Sequence, residues 1–185
     1  MLILGLDVST SCTGYCLIDT DVSPTEGGSQ IVVLSCLPLT KCKSFWEKTE
    51  AVADCLKGLA SGRRVDVLAL EEPLLGFSKG MSSAGTITTL MRFNGIVSYI
   101  GRSIYGVDPT YVSAAHARKL CGVKLQKTSV VGLSQKEQVF RHMCAADLRH
   151  VSWPTKKDGT PADTARDMCD AYVIARAASL EVVHK

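Results

Sequence analysis

Leu2-Ile3-Leu4-Gly5-Leu6-Asp7 is an apolar run of strand length that stops on a carboxylate and breaks into Ser9, Thr10 and Ser11. A buried strand that ends on Asp carries its acid to the edge of a sheet. For a lone Asp two readings compete: it starts turns by accepting hydrogen bonds from backbone amides two residues on, or it belongs to a site at the strand's C-terminal end. Three further acids, Glu71, Asp167 and Asp170, stand where a second strand end and the start of a helix can bring them to the same place, and they tip the reading toward a site.

Along Val65-Asp66-Val67-Leu68-Ala69-Leu70-Glu71 the side chains alternate. Glu71 therefore shares a face with Val65, Val67 and Ala69, and Glu72 projects from the other face. With the first strand and this one side by side, Asp7 and Glu71 meet, and two carboxylates that close repel unless a cation lies between them. The last helix, at about 162–182, opens with Thr160-Pro161-Ala162-Asp163. That segment offers Pro at a first helical position and a Thr-x-x-Asp capping spacing, which gives Asp163 a structural job. Asp167 and Asp170 lack such a job, and their i, i+3 spacing puts them on one face. Met168, Cys169 and Ala171 to Ala175 make this helix apolar nearly all round, so it is expected to be buried, where acids need a partner. The partner is either a cationic side chain, from Arg166, Arg176 or a Lys of a neighbouring helix, or a metal ion. Hard divalent cations take oxygen ligands, and paired ions roughly 4 Å apart activate water and stabilise the leaving oxygen in phosphodiester hydrolysis. The four-acid pattern is that of a two-metal nuclease.

Elsewhere, strand-like runs fall at 2–7, 13–19 and 30–37, with Asp21 to Ser29 as a hairpin-like loop, and these suggest an antiparallel meander. A helix at 44–61 carries Phe45, Val52, Cys55, Leu56 and Leu59 at helical spacing, and Val65 to Glu71 is a fourth strand stopped by Pro73. A long helix at 83–104, with Ile87, Leu90, Met91, Val97, Ile100 and Ile104 on one stripe, precedes a fifth strand at 107–112. Helices at 114–121 and 134–148 follow, the second opened by the capping-box spacing Ser134-Gln-Lys-Glu137. Trp153 to Pro161 is the stretch expected to be flexible. The order gives an α/β fold, with an antiparallel meander and parallel strands in one mixed sheet flanked by helices.

A chain of 185 residues with 46% hydrophobic and 21% charged content supports one core, so residues 1–185 are read as a single domain. The eight cysteines form no CxxC pair and fall mostly in apolar segments, which fits a reducing compartment. No secretory signal opens the chain, and no stretch approaches the roughly 18 apolar residues of a membrane span. A soluble, intracellular protein with no membrane partner is expected. The net charge of +3 is unevenly spread. Residues 113–157 hold nine Lys and Arg against Glu137 and Asp147, a balance of +7, while 1–112 and 158–185 each balance at −2. That division suits a polyanion gripped by one region and cut at another, since phosphate contacts supply most non-specific nucleic-acid affinity. A set of solvated helix faces is the plainer alternative. His116, His142, His150 and His184 show no metal-ligand spacing and are expected at the surface or facing nucleic acid.

With these residues in view, the chain resembles the RuvC-type Holliday-junction resolvases of the ribonuclease H-like superfamily over most of its length. Ile3-Leu-Gly-Leu-Asp7 with Thr13-Gly-Tyr15 resembles the family's opening strand and hairpin, and Leu68-Ala-Leu-Glu71 its second acidic strand. Asp167-Met-Cys-Asp170-Ala171 resembles its closing Asp-x-x-Asp-Ala helix. Ala114-Ala-His-Ala-Arg118-Lys119 and Ser134-Gln-Lys136-Glu-Gln-Val139 resemble the segments that carry basic residues near the scissile phosphate. The resemblance implies a ribonuclease H-like fold and a crossover junction endodeoxyribonuclease of DNA recombination and repair. It implies that Asp7, Glu71, Asp167 and Asp170 hold a pair of Mg²⁺ ions, or Mn²⁺ in their place. It also implies that Lys136 acts at the phosphate, that Arg118, Lys119 and Lys136 contact DNA, and that the protein works as a homodimer on a four-way junction, whose two-fold symmetry matches a two-fold dimer. Lys136 draws notice independently, because a cation in a helix's first turn opposes the macrodipole and so suggests a partner anion.

The chain departs from the family where Pro-Gly commonly follows the first Asp, having Val8-Ser9 instead. Where an aromatic wedge often follows the second acid closely, Phe77 comes six residues later, in the Gly76 to Gly80 loop with Lys79. Phe77 and Lys79 are candidate DNA contacts, with a loop anchor on the core as the other reading of Phe77. Gly85, Gly95 and Gly101 in the 83–104 helix allow close approach of a second copy, or the helix's stripe is ordinary core. Gly5 to Ser11 also resembles the phosphate-binding turn of actin-like sugar kinases, which need two such domains. A junction-binding protein without cleavage, and a ribonuclease H-like nuclease acting on hybrids or flaps, are the remaining alternatives.

Overall fold

A computed structural model describes residues 1–22, 30–60, 62, 64–73 and 84–183. The candidate contacts Phe77 and Lys79 lie outside the described residues, as does most of the hairpin-like loop at 21–29. Five strands form one sheet in the order β3-β2-β1-β4-β5, from β1 (Leu2–Asp7), β2 (Cys12–Asp19), β3 (Ile31–Pro38), β4 (Val67–Glu71) and β5 (Pro109–Val112). β1, β2 and β3 form the antiparallel meander, while β1, β4 and β5 run parallel.

Helices cover both faces. On one, α1 (Phe45–Ala60) and α2 (Ala84–Tyr105) enclose a core of Leu4, Leu6, Leu17, Leu68, Leu70, Phe93 and Val97. Against the other lie α3 (Ala114–Leu120), α5 (Gln135–Ala145) and α6 (Asp163–Val183), with Ile3, Cys16, Ala69, Met143 and the inner stripe of α6. The alternation in β1 is thereby resolved: Leu4 and Leu6 face α2, and Ile3, Gly5 and Asp7 face α6. Glu71 follows Ala69 onto the α6 side by the same alternation.

Several boundaries moved for local reasons. β4 begins at Val67 rather than Val65, because the Asp66 carboxylate turns back to accept from the Leu2 amide at 2.8 Å. β5 begins at Pro109 and α5 stops at Ala145, and a one-turn helix α4 (Thr128–Val131), too short to show periodicity, ends at Gly132 with φ 66°. The helix-start reading of Thr160-Pro161-Ala162-Asp163 is corrected. Pro161 instead pairs with Thr155, the Thr160 hydroxyl goes to Asp158, and Asp163 is held by Lys156 at 3.0 Å. The 153–161 stretch, expected to be flexible, closes as a hydrogen-bonded turn in which Lys156 and Thr160 share a 2.7 Å backbone bond. The stripe read along α2 holds at Val97, Ile100 and Ile104, which pack on the core, and is corrected at Met91. The buried face of α2 is Phe93, Asn94, Val97, Ser98 and Gly101, whereas Met91 is 42% exposed. Gly101 packs on Leu68, where a Cβ would come within 2.6 Å of that side chain, and Gly95 faces open space. Among the described residues, no helix is long and apolar enough to cross a membrane.

Candidate active site

The parallel register of β1 and β4 pairs Gly5 with Ala69 and Leu6 with Leu70, so the next step brings Asp7 level with Glu71 at the shared C-terminal edge. The two carboxyls are close enough to act on each other directly. The third component arrives because α6 can lie almost on the strands. A Cβ on Gly5 would stand 2.5 Å from the Ala175 amide nitrogen, and a Cβ on Gly14 would overlap the Asp167 carbonyl. Two glycines thus let the backbone of α6 descend onto β1 and β2, and that descent delivers Asp167 and Asp170 to the acids on the strands.

Lys136 completes the cluster. Its ammonium lies 2.6 Å from Asp167 Oδ1 and 3.0 Å from Asp170 Oδ2. The anion partner expected for a cation in the first turn of α5 is therefore this acid pair. Ser134 caps α5 by accepting from the Glu137 amide at 3.1 Å, but Glu137 does not complete the reciprocal capping bond. It is taken by Arg166 Nε at 2.8 Å and Nη2 at 2.6 Å, and by Arg141 at 2.8 Å. This clamp fixes α5 against α6 one residue from both Lys136 and Asp167. Burial alone would raise the Glu137 carboxyl, but the two arginines hold it below its ordinary range.

The site carries more negative charge than its cations balance. Asp7 is raised well above the ordinary carboxylate range, first by burial and then by Asp170 and Glu71, with Lys136 opposing. Burial also raises Glu71, against its contact with Asp7 and the charges of Arg118 and Lys136, and it raises Asp170 against Lys136. Burial alone would depress Lys136, but Asp170, Asp7 and Asp167 outweigh it and drive it up. A carboxyl with a raised native pKa stays protonated in the folded state after its unfolded counterpart has ionised. It therefore withdraws stability as pH rises from its ordinary pKa toward its folded one. In chelator at pH 7, Asp7→Asn is thus expected to be more stable than the parent by about 0.5–2 kcal/mol. The gap should close toward pH 4, as urea melts at the two pH values would show.

The donor set suits a hard divalent cation. The four acids offer only oxygen, and the neighbouring Cys12 thiol is pushed far up by burial, with Cys36 and Asp167 adding to it, so it stays a neutral thiol. Among the described residues, no three His, Cys, Asp or Glu side chains are drawn together tightly enough to hold a metal as they stand. The acids of α6 are turned to the ammonium of Lys136. Of the two partners the sequence offered for these acids, the cationic side chain is the one seen, a Lys of the neighbouring helix α5.

Arg118 lies beside the cluster, its charge acting on Glu71 and Asp170 and its guanidinium 3.4 Å from Gln135 Oε1. Lys119 is exposed one step away and lines an open pocket with Arg118, Lys124 and Gln135. The structure thus brings together Asp7, Glu71, Asp167, Asp170 and Lys136, and sets Arg118 and Lys119 along the approach. His116 is tied to Glu181 at 2.7 Å on the outer side of α3 and α6. Asn94 was missed in the sequence. Buried in α2, it donates to the Glu71 carbonyl at 3.2 Å and receives Ser98 Oγ, which Tyr111 holds in turn at 2.9 Å. The available signal was two polar residues at i, i+4 within an apolar stripe.

The backbone is similar to solved resolvases. Thermus thermophilus RuvC in complex with a Holliday junction substrate superposes with a TM-score of 0.66 at 12% identity, over 100% of this chain and 96% of that one. A second Thermus thermophilus RuvC structure gives 0.65 at 13% identity, again over 100% and 96%. The yeast mitochondrial Holliday junction resolvase Ydc2 gives 0.52 at 16%, over 97% of this chain and 80% of that one. No protein-family model matches the sequence, and no curated protein matches it in sequence. The fold is that of the RuvC-type resolvases, ribonuclease H-like, with the five-stranded mixed sheet between helices.

Proposed function

We propose that this chain is a single-domain, metal-dependent, structure-selective endonuclease that resolves four-way DNA junctions by symmetrical phosphodiester hydrolysis, as in recombination and repair. The observation that carries the reading is the meeting of Asp7, Glu71, Asp167 and Asp170, from two strand ends and one helix, with Lys136 among them. Asp7, Glu71, Asp167 and Asp170 would hold divalent ions, Mg²⁺ or Mn²⁺. Such ions supply an activated water and neutralise the leaving oxygen. Lys136 would bind a non-bridging phosphate oxygen, and Arg118, Lys119 and Lys124 would offer the flanking backbone a positive path. A junction substrate is supported by the likeness in fold to a resolvase solved with one.

Paired nicks require two sites, so a homodimer belongs to the proposal. The outward side of α2, with Met91 42% and Tyr99 69% exposed beside Trp46 at 65%, is the apolar surface offered for it. Light scattering should give twice the chain mass of 19.9 kDa.

The test uses labelled junction, duplex and RNA–DNA hybrid, each with Mg²⁺ or chelator. Symmetrical nicks in the junction alone, lost in chelator, are expected. Cutting of the hybrid, or of a labelled flap run alongside, would favour a different ribonuclease H-like nuclease. Junction binding without cuts under any metal would favour an architectural protein.

A further inference from the structure

We infer that Lys136 is a built-in counter-ion of the metal-free site, which a divalent ion must displace before the acids of α6 can serve as ligands. This rests on the metal-site reading above and adds a means of regulation to it. The ammonium makes ion pairs of 2.6 and 3.0 Å to two different carboxylates, so it bridges Asp167 and Asp170 rather than decorating one of them. Those side chains are 21% and 18% exposed, which leaves water little room to take the place of Lys136.

The placement of Lys136 is enforced from outside the site. Its neighbour Glu137 is gripped by Arg166 through two bonds and by Arg141 through a third, so the first turn of α5 cannot drift from α6. A divalent ion on the same oxygens would face a like charge within a few ångströms and would compete for the same lone pairs. Binding of the ion therefore ejects the Lys136 side chain, which is 42% exposed and has an open route outward. The ejected ammonium is then free for the substrate phosphate. The same side chain thus holds the two acids of α6 together and withholds them from the metal until the ion is present.

Calorimetric titration with Ca²⁺, a hard ion of the same ligand preference, tests this on the parent, Lys136→Met and Asp7→Asn. Lys136→Met should bind the ion at least about tenfold more tightly, because two charge-assisted bonds no longer oppose it. Asp7→Asn should bind it more weakly than the parent. Equal or weaker affinity in Lys136→Met, with the parent binding and Asp7→Asn impaired, overturns the counter-ion role and leaves the metal-site reading standing. No binding of Ca²⁺, Mg²⁺ or Mn²⁺ by parent and variant alike overturns both. Should Lys136→Met not fold, the parent alone suffices. Amine-reactive labelling read by mass spectrometry should show Lys136 protected in chelator and several-fold more reactive in saturating Ca²⁺, with Lys119 as an unchanged internal reference. A Lys136 signal that does not respond to bound ion overturns the proposal.

Discussion

Asp7→Asn is expected to lower junction cleavage by roughly three orders of magnitude, the scale on which removing one preorganised electrostatic group slows an enzyme. Junction affinity should stay within a few-fold. The two effects separate because on the proposed reading affinity would come from phosphate contacts along the basic segment 113–157, whereas Asp7 belongs to the acid cluster, its carboxyl held up by burial and by Asp170 and Glu71. Substitution by Asn keeps the shape and removes the charge that a divalent ion would use. Single-turnover cleavage alongside gel-shift affinity checks both halves. Cleavage close to the parent rate would remove Asp7 from the chemistry.

The second large effect is expected at a residue with no functional group. Gly14→Ala places a methyl on the Asp167 backbone carbonyl, and both contacting groups belong to regular elements that cannot yield by turning a side chain. Either α6 rises from β2 or the β1–β2 pairing opens. A loss of about 2–3 kcal/mol is expected by analogy with overpacked cores. Because the lift begins at Asp167, the variant should also lose Ca²⁺ affinity under conditions where it remains folded. Urea denaturation with a parallel titration measures both, and parental stability would mean that the approach of α6 to β2 is looser than described.

The acid constellation was legible because each member sat at a position defined by local pattern. Alternation put Asp7 and Glu71 on one side of their strands, and helical spacing put Asp167 and Asp170 on one side of α6. Lys136 was legible for a different reason, being a cation placed against a helix dipole. What the sequence did not show was how these elements approach one another. Gly5 and Gly14 look like weak points in strands until α6 is seen resting on them. Asn94 drew no reading from the sequence, yet it holds the end of β4 through the Glu71 carbonyl. The Thr160 to Asp163 segment was misread because a turn closed by Thr155 and Pro161 uses the same residue types as a helix cap. Glu137 matched a capping box in spacing, but two arginines distant in sequence or on the next helical turn outbid the backbone amide for its carboxylate.

Central to the account is that carboxylates from both ends of the chain share divalent ions. Diffraction from crystals soaked in Mn²⁺, collected at the manganese absorption edge, addresses this directly. Two anomalous peaks among the side chains of Asp7, Glu71, Asp167 and Asp170 are predicted, with Lys136 turned away from Asp167. Saturating Mn²⁺ that leaves no peak there, with the ammonium of Lys136 still seated between Asp167 and Asp170, would contradict it.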